Sequence, residues 1–141
     1  MYTLKTLKME SIPSALQKAE RYRLLNEPRE AESIYLDILQ VEPDNQEALT
    51  MLILAYTDKF KMELNPAFNN ALSTLEQLQD EHAKTYYRGI IYERRAKVHL
   101  NRSELNSNNI AYDFCVKAIA EYERVLESNP EGNLNAALRW N

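Results

Sequence analysis

The chain has 141 residues, 45% of them apolar and 27% charged, with a formal net charge of −4. That apolar share can build a core and excludes wholesale disorder, while the negative sum argues against a general phosphate-backbone binder. Two glycines and one cysteine disfavour all-β folds, glycine-rich nucleotide loops, disulfide frameworks and thiolate-rich zinc sites.

Met1 to Glu10 lacks the apolar stretch of a signal peptide. The first helical pattern follows Ser11, which can cap it, with Pro13 in the first turn. Ala15, Leu16, Ala19, Tyr22 and Leu24 form its apolar side. Asn26-Glu27-Pro28 interrupts, and a second helix carries Ala31, Ile34, Tyr35, Ile38 and Leu39 as far as Glu42-Pro43. Asp44 with Glu47 predicts a capping-box start for a third helix bearing Ala48, Leu49, Leu52, Ile53 and Tyr56. Thr57 to Leu64 reads as a looser connection. Asn65-Pro66 predicts a cap and a first-turn proline opening a fourth helix through about Gln79, striped by Phe68, Ala71, Leu72, Leu75 and Leu78. A fifth helix is expected from about Glu81 to Leu100 and a sixth from about Asn109 to Glu127, with the polar run Asn101 to Asn108 as the loop between them. Ser128 to Gly132 ends the sixth, and Asn133 to Asn141 begins a seventh. No stretch alternates like a strand, and none is long and apolar enough to cross a membrane.

Self-similarity organises these helices. Tyr22 and Tyr56 are 34 residues apart, and Tyr56 and Tyr92 are 36 apart; Ala19, Ile53 and Gly89 each stand three residues before a tyrosine. Ala31, Tyr35, Ile38 and Pro43 lie at relative spacings 0, 4, 7 and 12, and Ala118, Tyr122, Val125 and Pro130 repeat them 87 residues later. The pattern resembles the tetratricopeptide repeat, a helix–turn–helix unit of about 34 residues. The resemblance implies an all-α fold of antiparallel helical hairpins stacked as a short right-handed superhelix. It covers 11–132, with hairpins at roughly 11–43, 44–80 and 81–130, after an N-terminal segment 1–10 and before the start of a terminal capping helix at 133–141. The sequence departs from the pattern where Ala15, Leu49 and Thr85 replace the large aromatic of the first helix. Ile53 also stands where a small residue is preferred. Ala118 follows Tyr92 by 26 positions, against 9 from Tyr22 to Ala31, which predicts a third hairpin lengthened by roughly two turns per helix.

In this family the first helix of each unit lines an inner groove. By resemblance, the groove holds Leu16, Glu20, Arg23 and Leu24, then Thr50, Leu54, Thr57 and Asp58, then Tyr86, Ile90, Glu93 and Arg94. Its apolar members could take one face of a partner segment, or Leu16 and Leu54 could simply pack beneath neighbouring helices. Family members that clamp C-terminal carboxylates use basic and amide donors, where this chain has Leu16, Glu20, Met51, Ala83 and Tyr87, so that activity is not expected. The fifth helix is locally basic. Arg88, Arg95 and Arg102 recur at seven-residue intervals and, with Lys97, form a candidate docking face, or else a solvated face paired with acids such as Glu93 and Glu121.

Catalytic patterns are poor. His82 and His99 belong to no metal or triad spacing, and Cys115 reads as a buried structural thiol. The expected function is therefore a cytoplasmic, non-enzymatic scaffold or chaperone-like module that binds a protein or peptide and needs no cofactor, metal, nucleic acid or membrane. Type III secretion chaperones are similar in size, repeat count and acidity. A monomer is favoured, with a homodimer through the C-terminal end as the alternative. A structural subunit of a homo-oligomer, or an enzyme with an unrecognised helical site, are the competing readings.

Overall fold

Asn26 closes the first helix. It adopts φ 62°, and the amides of Asn26 and Glu27 donate to the carbonyls of Arg23 and Tyr22 at 3.0 and 2.8 Å. That pair of bonds is a Schellman stop, and asparagine enters the left-handed region at lower cost than most side chains. Pro28 then opens the next helix, where its missing N–H is not needed.

The computed structural model describes residues 5–102, 104–128 and 134–140. After a 3-10 turn at Met9–Ser11 come α1 (Ile12–Leu24), α2 (Pro28–Val41), α3 (Gln46–Asp58), α4 (Leu64–Leu75), α5 (Glu81–Leu100), α6 (Ser107–Ser128) and α7 (Leu134–Trp140). The described residues contain no strand, so the fold is all-α.

Several boundaries differ from the sequence expectation. The Ser11 side chain makes no capping bond, because the 3-10 turn runs directly into α1. Asn45, not Asp44, caps α3 by accepting from the Ala48 amide at 2.9 Å. Thr57 and Asp58 complete α3, and α4 starts at Leu64, so Asn65-Pro66 lies inside its first turn and the connection shrinks to 59–63. The ion pair of Lys59 with Glu63 spans that connection at 3.3 Å. The fourth helix ends at Leu75, short of Gln79, and α6 starts two residues early, directly after Asn106, whose carbonyl accepts from the Ile110 amide at 3.0 Å. Met1 to Leu4, the stop at 129–132, and Asn133 and Asn141 lie outside the described residues.

Consecutive helices pack in pairs, α1 on α2, α3 on α4 and α5 on α6, and α7 rests on α6. The first helices of successive pairs also touch, α1 against α3 and α3 against α5. The central helix is accordingly the most buried of the six long ones, with seven of its 13 residues in the core. One core spans α1 to α4 around Tyr35, Ile38, Leu49, Ile53 and Phe60, and reaches Ile91 of α5. A second, around Ile90, Ala118, Tyr122 and Val125, joins α5, α6 and α7. Neighbouring residues of α5 thus point into different cores, which makes this helix a shared wall. Both α5 and α6 are long, at 20 and 22 residues against 12 to 14 for α1 to α4.

Tyr35 is fully buried, and its hydroxyl has no hydrogen-bond partner among the described residues. Burial pushes the phenol up to about 12. A buried hydroxyl without a partner has lost its water and gained nothing. Tyr35→Phe is therefore expected to leave stability unchanged or raise it by up to about 1 kcal/mol, read from the urea midpoint. A loss of that size instead would mean that the hydroxyl makes a stabilising contact.

Candidate interaction surfaces

Three first helices are tied together by one carboxylate. Asp58 of α3 accepts from Nε of Arg23 in α1 at 2.7 Å and from Nη1 of Arg94 in α5 at 3.0 Å. These residues follow one another at intervals of 35 and 36, about one repeat each. Because α1 touches α3 and α3 touches α5, opposite charges about 35 residues apart in sequence meet across these helices. That spacing was a usable signal in the sequence.

A second hub is Glu93. It accepts from the Tyr122 hydroxyl at 3.2 Å and from the guanidinium of Arg139 in α7, whose Nε donates to the Tyr86 hydroxyl at 3.2 Å. Burial, and then the Glu93 charge, push the Tyr122 phenol well above its ordinary value. Burial works against the charge of Arg139, but the Tyr86 hydroxyl and Glu93 outweigh it, and the guanidinium is held above its usual range. Arg139 is a site residue that spacing did not reveal, because α7 has only seven residues.

The predicted groove residues fall into several settings. Leu16 and Glu20 of α1 line a cleft of about 290 Å3 with Glu47 and Met51 of α3. Met51 was not among the expected groove residues. Arg94 borders another cleft of about 340 Å3, with Asn26, Lys61 and Lys97, near the ends of α1, α3 and α5. Thr50 and Tyr86 are half-buried, and Leu24 stands exposed at the end of α1. Leu54 is half-buried and packs on the second core. Two expected groove residues are almost wholly buried. Ile90 is only 2% exposed, enclosed with Ala118 and Tyr122, because α6 covers that side of α5. Thr57 is buried and its hydroxyl donates to the Leu54 carbonyl at 2.7 Å.

The basic face also divides. Arg88 pairs with Glu121 at 3.4 Å, and Lys97 approaches Glu93 at 3.7 Å. Arg95 has no carboxylate partner among the described residues and sits among aromatic rings. Arg102 falls beyond the end of α5, so it does not continue a helical stripe with Arg88 and Arg95. Cys115, expected to be buried, is half-buried. His82 meets Ser128 at 3.0 Å, while His99 is buried against Phe114, and the two do not share a site.

Among the described residues no group of three or more His, Cys, Asp or Glu side chains is placed to hold a metal, and no helix is long and apolar enough to cross a membrane. No family model, curated protein or solved structure matches the chain.

Proposed function

We propose that this chain is a non-enzymatic protein-interaction module of tetratricopeptide-like build, stacking its helix pairs as a short superhelix. It holds a peptide or protein partner against the face made by α1, α3 and α5, in a cytoplasmic setting that suits its lone half-buried thiol. The observation that carries this reading is the side-by-side contact of these three helices, with half-buried Leu16, Met51 and Tyr86 set among the fixed charges Arg23, Asp58 and Arg94. Apolar footholds supply affinity, and positioned charges select the partner.

The test uses immobilised protein and the proteins that co-purify with it. Leu16→Asp/Met51→Asp is expected to lose partners that wild type retains. Leu36→Asp, an exposed change on α2, is expected to keep them. Because Leu16 and Met51 also pack against the first core, each variant must be shown to stay folded at the assay temperature by a cooperative melt. The same partner set from all three proteins would sink the proposal. Exposed Leu138 and Trp140 on α7 favour a second reading, self-association through that helix. A monomer in analytical ultracentrifugation at high concentration removes it.

A further inference from the structure

The arginines of α5 are alike in sequence but not in their surroundings. Arg88 is paired with Glu121 and Arg94 with Asp58. Among the described residues Arg95 is paired with no acid, and neither are Arg102 and Lys117. The Arg102 charge acts on Arg95, and Lys117 shares the Phe114 ring with Arg95, in a chain of net charge −4.

The Arg95 guanidinium is also held in position. Its central carbon lies 4.3 Å from the ring centroid of Phe68 in α4 and 4.7 Å from that of Phe114 in α6. Those two rings meet edge to face, 6.0 Å apart, so the guanidinium sits in the angle between them. Its Nε faces His99 Nε2 at 3.3 Å. The His99 ring lies parallel to Phe114, with centroids 6.0 Å apart. Lys117 Nζ stands 5.0 Å from the Phe114 centroid. Burial, and then the charge of Arg102, depress the Arg95 guanidinium below its ordinary value. His99 is lowered by burial and by both arginines, with Glu104 as the acid that opposes them. Asp113 stands one turn before Lys117 yet makes no ion pair with it. Rings stabilise the cation without cancelling its charge. The Nη atoms of Arg95 have no hydrogen-bond partner among the described residues, and they are not fully enclosed.

From this arrangement we infer that Arg95 is the anchor of a docking site for an acidic segment of a partner protein, taking one carboxylate on its Nη edge while Arg102 and Lys117 receive flanking acids. A guanidinium fork matches a carboxylate in two parallel bonds, and an anchor already ordered by packing loses little freedom on binding. The site lies among α4, α5 and α6 and does not depend on the α1/α3/α5 face.

The experiment is fluorescence anisotropy of an end-labelled oligoglutamate peptide at low salt, with oligoglutamine of equal length as the uncharged arm. Wild type is expected to bind the first and not the second. Arg95→Met should weaken binding by about tenfold or more, since a bond to a charged partner is lost. Arg95→Lys should also weaken it, because the fork is gone although the charge remains. Lys97→Met removes the same charge from an exposed position of the same helix and should change binding by no more than about twofold. Equal weakening by Arg95→Met and Lys97→Met, or no binding of oligoglutamate by wild type, overturns the site. A phosphoserine peptide and inorganic phosphate form the last arms, and binding of these alone would overturn the choice of a carboxylate partner. If Arg95→Met lowers the melting temperature, Arg102→Gln/Lys117→Gln decides, and unchanged oligoglutamate binding by that variant refutes the proposal.

Discussion

Gly89→Ala is expected to destabilise the fold by about 2 kcal/mol, although alanine is the better helix former. Gly89 lies in the middle of α5, where exchange for alanine would by propensity alone gain about 1 kcal/mol. A Cβ built there would stand 2.5 Å from Cε1 and 2.9 Å from Cδ1 of Tyr122. Real carbon atoms do not approach so closely. The ring cannot swing aside, because Tyr122 is 1% exposed and its hydroxyl is fixed on Glu93. Overpacking of this kind costs about 3 kcal/mol at the upper end of its usual range, so the clash outweighs the propensity gain. For a chain of this size the difference lowers the melting temperature by roughly 5–10 °C. In a Tyr122→Leu background the same exchange should be neutral or stabilising, since the obstructing ring is gone. A Gly89→Ala protein that melts at or above wild type would mean that α5 and α6 can separate without loss.

The second large effect is expected at Asp58. Its side chain is 18% exposed and bridges Arg23 and Arg94, themselves 16% and 31% exposed. Asp58→Ala leaves two guanidiniums facing each other with no anion between them. Fully buried pairs broken from one side lose about 3–5 kcal/mol, and partial exposure to water reduces that here to about 2 kcal/mol. Removing either arginine alone should cost less, because Asp58 keeps the other. The exposed pair of Arg29 with Glu63 supplies the comparison, since the Arg29 side chain is 65% exposed. Arg29→Ala should change the urea midpoint little. If Asp58→Ala costs no more than Arg29→Ala, Asp58 does not hold the three helices together.

Helix existence and order were legible because they rest on local physics. Asn26 and Pro28 specify a stop and a start within three residues, and their geometry needs nothing from the rest of the chain. The boundaries that moved are those where a neighbour intervenes. The Asn45 side chain donates to Glu42 while it caps α3, a role Asp44 could equally have filled by pattern alone. Gly89 illustrates a middle case. Its three-residue offset from Tyr92 marked it as a packing position, but only the structure supplied the ring that requires it.

The candidate surfaces were legible as residue types and not as states. Ile90 was placed on the groove from its position in the unit, yet the long α6 encloses it. Arg139 carried no repeat signal, yet it links α7 to Tyr86 and Glu93.

By itself, the sequence determined an all-α chain of seven helices with a lengthened third pair, because periodicity, caps and prolines act within a few residues. Only the tertiary structure decided which charges are spent and which are available. Arg88, Arg94 and Arg95 share one helix, but their environments come from Glu121, Asp58, Phe68 and Phe114, each 19 to 36 residues away in sequence. A charge is defined by what surrounds it in space, and those neighbours are set by how the helices pack.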